Sequence, residues 1–355
     1  MNYGICGGIA AEAYNSTITN CCVTATGYIY EFGGIVYSTS GNTVIANCVL
    51  KNSGVNVTSL YGGIVGEACG KTEIYNCANS DIFNSRRSGG IVSYAEMSGL
   101  TLENNMYYEE NDCYDVYYDI EKDECISKMV DKDSTVSEQD ADGLYIPAKL
   151  NEYVRANPNQ VKGTTLKTWG IDYNNEPSFA NNKNPELYLI KQSGVKADTL
   201  INGDYARGAL PGNKVTVCGI ADGAVVAVTD VNGNDIKLTT NENGYEFTMP
   251  KCDVTVSAVL DTGISETTVI DGKTYVVVKN ASDFVKAVKS IADGNSELNV
   301  YIAENINLTA EELAEYPIYT DEMKQSYNGI FDGAGHTITF DGLKQSMLYL
   351  SLIHI

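Results

Sequence analysis

Four segments of this chain repeat one pattern: Gly7-Gly8-Ile9-Ala10, Gly33-Gly34-Ile35-Val36, Gly62-Gly63-Ile64-Val65 and Gly89-Gly90-Ile91-Val92. Each is followed, about a dozen residues later, by an apolar residue two before an asparagine: Ile18 and Asn20, Ile45 and Asn47, Ile74 and Asn76, Leu102 and Asn104. In the first three units the asparagine precedes Cys21, Cys48 or Cys77, and in the fourth it precedes Asn105. The period is 26 to 29 residues. That spacing marks a repeat architecture, in which no unit buries its apolar side alone and a core arises only by stacking.

Within a unit the runs are short and β-prone, such as "GGIVGEA", "TEIYNCA" and "DIFNS" in the third, with Gly, Asn, Ser and Asp between them. Stacked units would pair each strand with its counterpart about 4.8 Å away. The expectation is an all-β fold led by a right-handed parallel β-helix. The Gly pair is expected to turn the chain at positive φ, where glycine meets no steric cost. Ile and Val after it would stack inside. The asparagines would form an amide ladder at a bend, and the cysteines would sit free in a crowded corner as small hydrophobes.

The repeated "GGIV…I-x-N-C" resembles the GLUG-type repeats of bacterial cell-surface and secreted proteins, especially those of gut anaerobes. The resemblance covers residues 1–114 and implies a β-helix. Some such repeats accompany an immunoglobulin-cleaving metalloprotease family, but its HExxH zinc helix is absent here, so no protease activity carries over.

Residues 115–189 are read as an irregular acidic segment and a C-terminal cap of the β-helix. "DKDSTVSE" (131–138) lacks the central glycine and full oxygen alternation of a calcium loop. A short helix follows, with Pro147 in its first turn, Leu150 and Val154 on one face and Pro158 after its end. With the Trp169 strand it would cover the last coil.

Residues 190–262 form a β-rich domain, in which Asn232-Gly233 and Asn243-Gly244 signal hairpins. "GYEFTMPKCDVTVSAVL" resembles the end of bacterial repeat domains related to internalin-type B repeats, small extracellular spacers. Cys218 and Cys252 are read as free thiols. Residues 263–355 are read as the N-terminal part of a second, truncated β-helix. Its amphipathic helix carries Phe284, Val285, Val288 and Ile291 on one face and Gly294 after its end, Thr309 and Glu312 form a capping box, and "FDGAGH" makes an opening turn. "NYGICGGI" reads as the tail of an earlier repeat, and "SLIHI" resembles a translated adapter tail. A fragment of a longer protein is therefore expected.

The formal charge of −22 disfavours nucleic acid and anionic membranes as partners. No apolar run is long enough to span a membrane as a helix. No CxxC occurs, and the histidines are His336 and His354, so neither a zinc-type metal site nor a cofactor is expected. The acids at equivalent repeat positions, Glu12 and Glu67, fall two coils apart, too far for the paired carboxylates of glycoside hydrolysis. Lys51, Lys71, Arg86 and Arg87 are isolated from one another. Tyr3, Tyr28, Tyr30, Tyr37, Tyr61, Tyr75 and Tyr94 offer either a glycan-stacking face or ordinary strand packing. The residues favour a non-catalytic stalk or adhesin, extracellular or at the cell surface, with glycans or host surface proteins as partners. No catalytic, cofactor-binding or metal residue is assigned. A β-helix polysaccharide lyase or hydrolase, and a spacer region of a larger secreted enzyme, are the alternatives.

Overall fold

The computed structural model describes residues 4–51, 54–80, 87–108, 114–128, 135–136, 144–221, 223–270, 273–309, 312 and 327–340. "DIFNS", "DKDSTVSE" apart from 135–136, Tyr3, Arg86 and "SLIHI" lie outside the described residues. The chain divides into two compact units, residues 1–190 with 201–213 and 248–253, and residues 191–200 with 214–247 and 254–355.

The first unit is a parallel β-solenoid. Each of its first three coils holds four strands rather than three. In the second coil these are Thr26–Gly33, Val36–Ser40, Asn42–Ala46 and Val49–Leu50. The first two are arms on either side of the Gly33-Gly34 bend. In the fourth coil the two arms merge into one strand, Arg87–Ala95. Stacking is in register with the repeat. Gly7, Gly33, Gly62 and Gly89 align rung on rung, as do Ile18, Ile45, Ile74 and Leu102. Ile35, Ile45, Ile64, Ile74 and Ile91 are wholly buried and, with Val36, Val65 and Val92, fill the interior.

The glycine pairs do not act through positive φ: none of the eight adopts it. They are required by crowding. A Cβ at Gly62 would stand 1.7 Å from the Val65 carbonyl oxygen, and one at Gly63 2.0 Å from that of Gly90. The backbone folds so closely on itself at the bend, and the coils stack so tightly, that no side chain fits. Positive φ belongs to the other corners. Asn20, Asn47, Asn76 and Asn104 all lie at φ 52 to 55°, and asparagine is the residue other than glycine that accepts this conformation most readily.

The asparagine ladder forms as expected. Asn47 Nδ2 donates to Asn20 Oδ1 (2.8 Å), Asn76 to Asn47 (2.8 Å) and Asn104 to Asn76 (2.6 Å). In the fourth coil Asn105 takes the cysteine position and binds the neighbouring coil through Cys77 N and the Ile74 carbonyl.

Helix α1 (Tyr145–Ala156) and the Trp strand reach the fourth coil at Met106, and with the following segment they run along the flank, over the asparagine corners. Asn76 donates to the Leu150 carbonyl, Asn47 to that of Lys167 and Asn20 to that of Thr165, so the segment tracks back across three coils. The outer faces explain this. Val49, Ala78 and Met106 make an apolar stripe that Ile146, Leu150 and Trp169 bury, and Ala46 does the same against Tyr153, Val154, Val161 and Leu166. Trp169 stacks on Phe179 at 4.2 Å and donates its Nε1–H to Asn47 Oδ1 at 2.7 Å. At the far end of the first sheet, Tyr114–Asp119 pairs with Arg87–Ala95 and then, antiparallel, with Glu124–Lys128.

In the second unit, Ala224–Asp230 pairs antiparallel with Val254–Leu260 over seven rungs. Its hairpin with "DIKLTT" is short: an antiparallel bridge at Thr229–Asp235, with the Asp230 N–H donating to the Asn234 carbonyl (2.9 Å) and the Ile236 N–H to that of Val228 (2.7 Å). Asp230 shapes the turn: its carboxylate accepts from the backbone N–H of Asn232 and Asn234. The Asn243-Gly244 hairpin is present, joining Thr239–Asn241 to Gly244–Thr248. Helix α2 (Ala281–Ala292) is capped by Asn280 and buries Phe284, Val288 and Ile291 against Val278, Val300 and Ile302, with Val285 half-buried. Lys273–Val278, Val300–Ile302 and Phe331–Asp332 pair in parallel, as do Ile306–Leu308 and Ile338–Phe340. Parallel stacking therefore resumes here. Thr309 and Glu312 make the reciprocal bonds of a capping box.

Candidate functional site

Across the strands after the glycine bend, Glu12 aligns with Ser38, Ser38 with Glu67, Glu67 with Tyr94 and Tyr94 with Tyr118. Glu12 and Glu67 are thus two rungs apart, as the repeat arithmetic implies. Glu67 has a different acidic neighbour. The Tyr37 hydroxyl lies 2.7 Å from Glu31 Oε2 and 3.1 Å from Glu67 Oε1. The two carboxylates therefore approach within about 6 Å, close to the separation of a retaining glycosidase pair.

This pair was not visible in the repeat because its members are not equivalent. Glu31 precedes the bend of the second coil, and Glu67 follows the bend of the third. Ring contact offers the one retrospective signal: Gly66 leaves room for the Tyr37 ring, which a Cβ there would meet at 2.9 Å. The phenol is 8% exposed. Burial, then the hydrogen bond to Glu31 and the Glu67 charge, push its pKa far above the ordinary tyrosine range. It therefore stays protonated, with its oxygen in the space where a scissile bond would have to sit. The arrangement ties the two arms together across the bend.

Among the described residues the candidate cations are engaged separately. Lys51 pairs with Asp172 (2.8 Å) and Glu176 (3.6 Å), anchoring the flanking segment, while Lys71 pairs with Glu73 on its own strand. Arg87 aligns with Leu60 on the arm before the bend. The tyrosines do not share one face. Tyr28 and Tyr30 are exposed, Tyr37 and Tyr61 are buried, and Tyr75 lies beside the flanking segment. Tyr94 instead joins a cluster that the repeat does not reveal, 4.8 Å from the Tyr118 ring and 6.3 Å from that of Tyr117. The Tyr118 hydroxyl bonds Asp123, which pushes its pKa up to about 12. Among the described residues no group of three or more His, Cys, Asp and Glu side chains is placed to hold a metal ion.

Cys21, Cys48, Cys77 and Cys218 carry free thiols, and Cys252 is not in a disulfide. Burial raises the Cys48 thiol well above its ordinary pKa, and for Cys21 the hydrogen bond with Cys48, then burial, does the same. The thiolate is the reactive form. Cys48, and Cys77 through its complete burial alone, are expected to resist an aromatic disulfide reagent in the folded protein and to react within minutes once it is unfolded without reductant. Rapid native labelling at either, located by peptide mapping, would refute the packed-thiol reading.

No protein-family model matches the chain, and comparisons with curated proteins and with solved structures found no match.

Proposed function

We propose that this chain is a non-catalytic part of a modular bacterial surface or secreted protein, a stalk that adheres to host or dietary glycans or proteins. The supporting observation is the Tyr37 hydroxyl, which fills the gap between the Glu31 and Glu67 carboxylates. A braced solenoid suits extension, since each coil is tied to the next by backbone pairing and by the asparagine ladder. The GLUG-like repeat agrees with that role and with an extracellular setting. The net charge of −22 turns away polyanions.

The Glu31–Glu67 approach favours a second reading, a glycoside hydrolase whose Tyr37 swings aside. Product analysis on plant and mucin polysaccharides separates the two. The expected result is no cleavage by the wild-type chain or by Tyr37→Phe. Chain cleavage abolished by Glu31→Gln or Glu67→Gln would establish the hydrolase instead.

A further inference from the structure

We propose that Glu12, Ser38, Glu67, Tyr94 and Tyr118 form a binding track for an extended, uncharged hexopyranose polymer lying along the solenoid axis. This rests on the adhesive, non-catalytic reading and gives it a site and a ligand class. Register is the first support, because the five residues occupy one row across five neighbouring strands. Strand spacing of about 4.8 Å makes the track roughly 19 Å long. That step is close to the advance per sugar in a straight β-1,4-linked chain, so successive sugars meet successive rungs in phase.

The side chains suit a sugar. Glu12 is exposed, and Ser38, Glu67, Tyr94 and Tyr118 are partly exposed. Carboxylates accept hydrogen bonds from neighbouring hydroxyls, and tyrosine offers an apolar ring for the C–H face of a pyranose together with a polar edge. The rings are held in place, since Tyr94 packs on Tyr117 and Tyr118, and Tyr118 is bonded to Asp123. Glu67 is steadied by Tyr37. Such fixing lowers the entropy lost on binding. Two carboxylates on the track repel uronate or sulfated chains. Ser38, Glu67, Tyr94 and Tyr118 sit on strands paired on both sides, so a polypeptide finds no strand to extend at those rungs.

The test is titration of the whole chain with a β-1,4-linked glucose hexaose, followed by calorimetry. The curved α-1,4-linked hexaose and a galacturonate hexamer serve as comparisons. Saturable binding of the straight hexaose is expected, with weaker binding of the other two. Tyr94→Ala should weaken it by about tenfold, Glu67→Gln should weaken it severalfold, and Tyr28→Ala, on the other arm, should leave it unchanged. Tyr94→Phe preserves the ring packing and should retain most of the affinity, which separates lost stacking from lost folding. Absence of saturable binding by the wild-type chain, equal affinity for the curved hexaose, or full affinity in Tyr94→Ala would each overturn the track. Release of shorter sugars in the same mixtures would remove the non-catalytic reading, while the Tyr94 comparison would still decide the track.

Discussion

Gly63→Val should prevent the solenoid from folding, at a cost above about 4 kcal/mol, a size reserved for severe steric or burial defects. The reason lies in backbone, which cannot yield cheaply. A Cβ on Gly63 would sit 2.0 Å from the Gly90 carbonyl oxygen and 2.2 Å from Asn79 Nδ2. The coil above would have to lift, and the arms on both sides are paired over several rungs. Gly63→Asn discriminates the cause. Were positive φ the requirement, asparagine would largely replace glycine, as it does at the ladder corners. Under crowding it should fail like valine. Gly54→Ala is the control, because its Cβ would come no nearer than 3.6 Å to a Thr26 methyl group, and should change stability by less than about 1 kcal/mol. Thermal melts followed by circular dichroism give all three. A Gly63→Asn variant melting like the parent would show that conformation, not space, selects the glycine.

That contrast shows how far the sequence speaks. Period and strand composition point to stacked parallel coils because repetition forces neighbouring units into equivalent contacts. The same logic makes the asparagine ladder legible, since a polar side chain at one corner of every coil must meet its own kind. The glycine pair was recognisable as a bend, but two physical reasons select glycine, and only coordinates separate a positive φ from a missing Cβ. The flanking segment escaped for another reason. Helix α1 and the Trp169 strand could be read as elements, yet what they cover depends on the outer faces of Val49, Ala78 and Met106. Those residues sit in strands of two or three residues, too short for alternation to mark an outward apolar stripe. Glu31, Tyr37 and Glu67 converge from two coils and from both sides of a bend, so no comparison of equivalent repeat positions brings them together.

Asn76→Ala should destabilise the first unit by about 3–5 kcal/mol, combining unsatisfied buried polar groups with a backbone conformation alanine adopts poorly. Asn76 is fully buried at φ 52°. Its amide donates to Asn47 Oδ1 and to the Leu150 carbonyl, and its own oxygen accepts from Asn104. Truncation leaves the Leu150 carbonyl, on the flanking helix itself, and the Asn104 amide without that partner. Asn47 Oδ1 keeps its bond from the Trp169 indole, so loss on that side is partial. Asn76→Gly removes the same hydrogen bonds but accepts the left-handed corner, and should recover about 1 kcal/mol relative to alanine. Asn76→Asp keeps an acceptor for Asn104 but loses both donated bonds and buries a charge between two oxygens, so it should be at least as damaging as alanine. The three substitutions rank as glycine least harmful, then alanine, with aspartate no better. Denaturant melts monitored by Trp169 fluorescence report the flanking segment directly, because that indole lies on the neighbouring rung of the ladder. If alanine and glycine were equally mild, the amide bonds would carry little of the stability. The solenoid would then depend on its apolar stacks, with the ladder setting only the register of its coils.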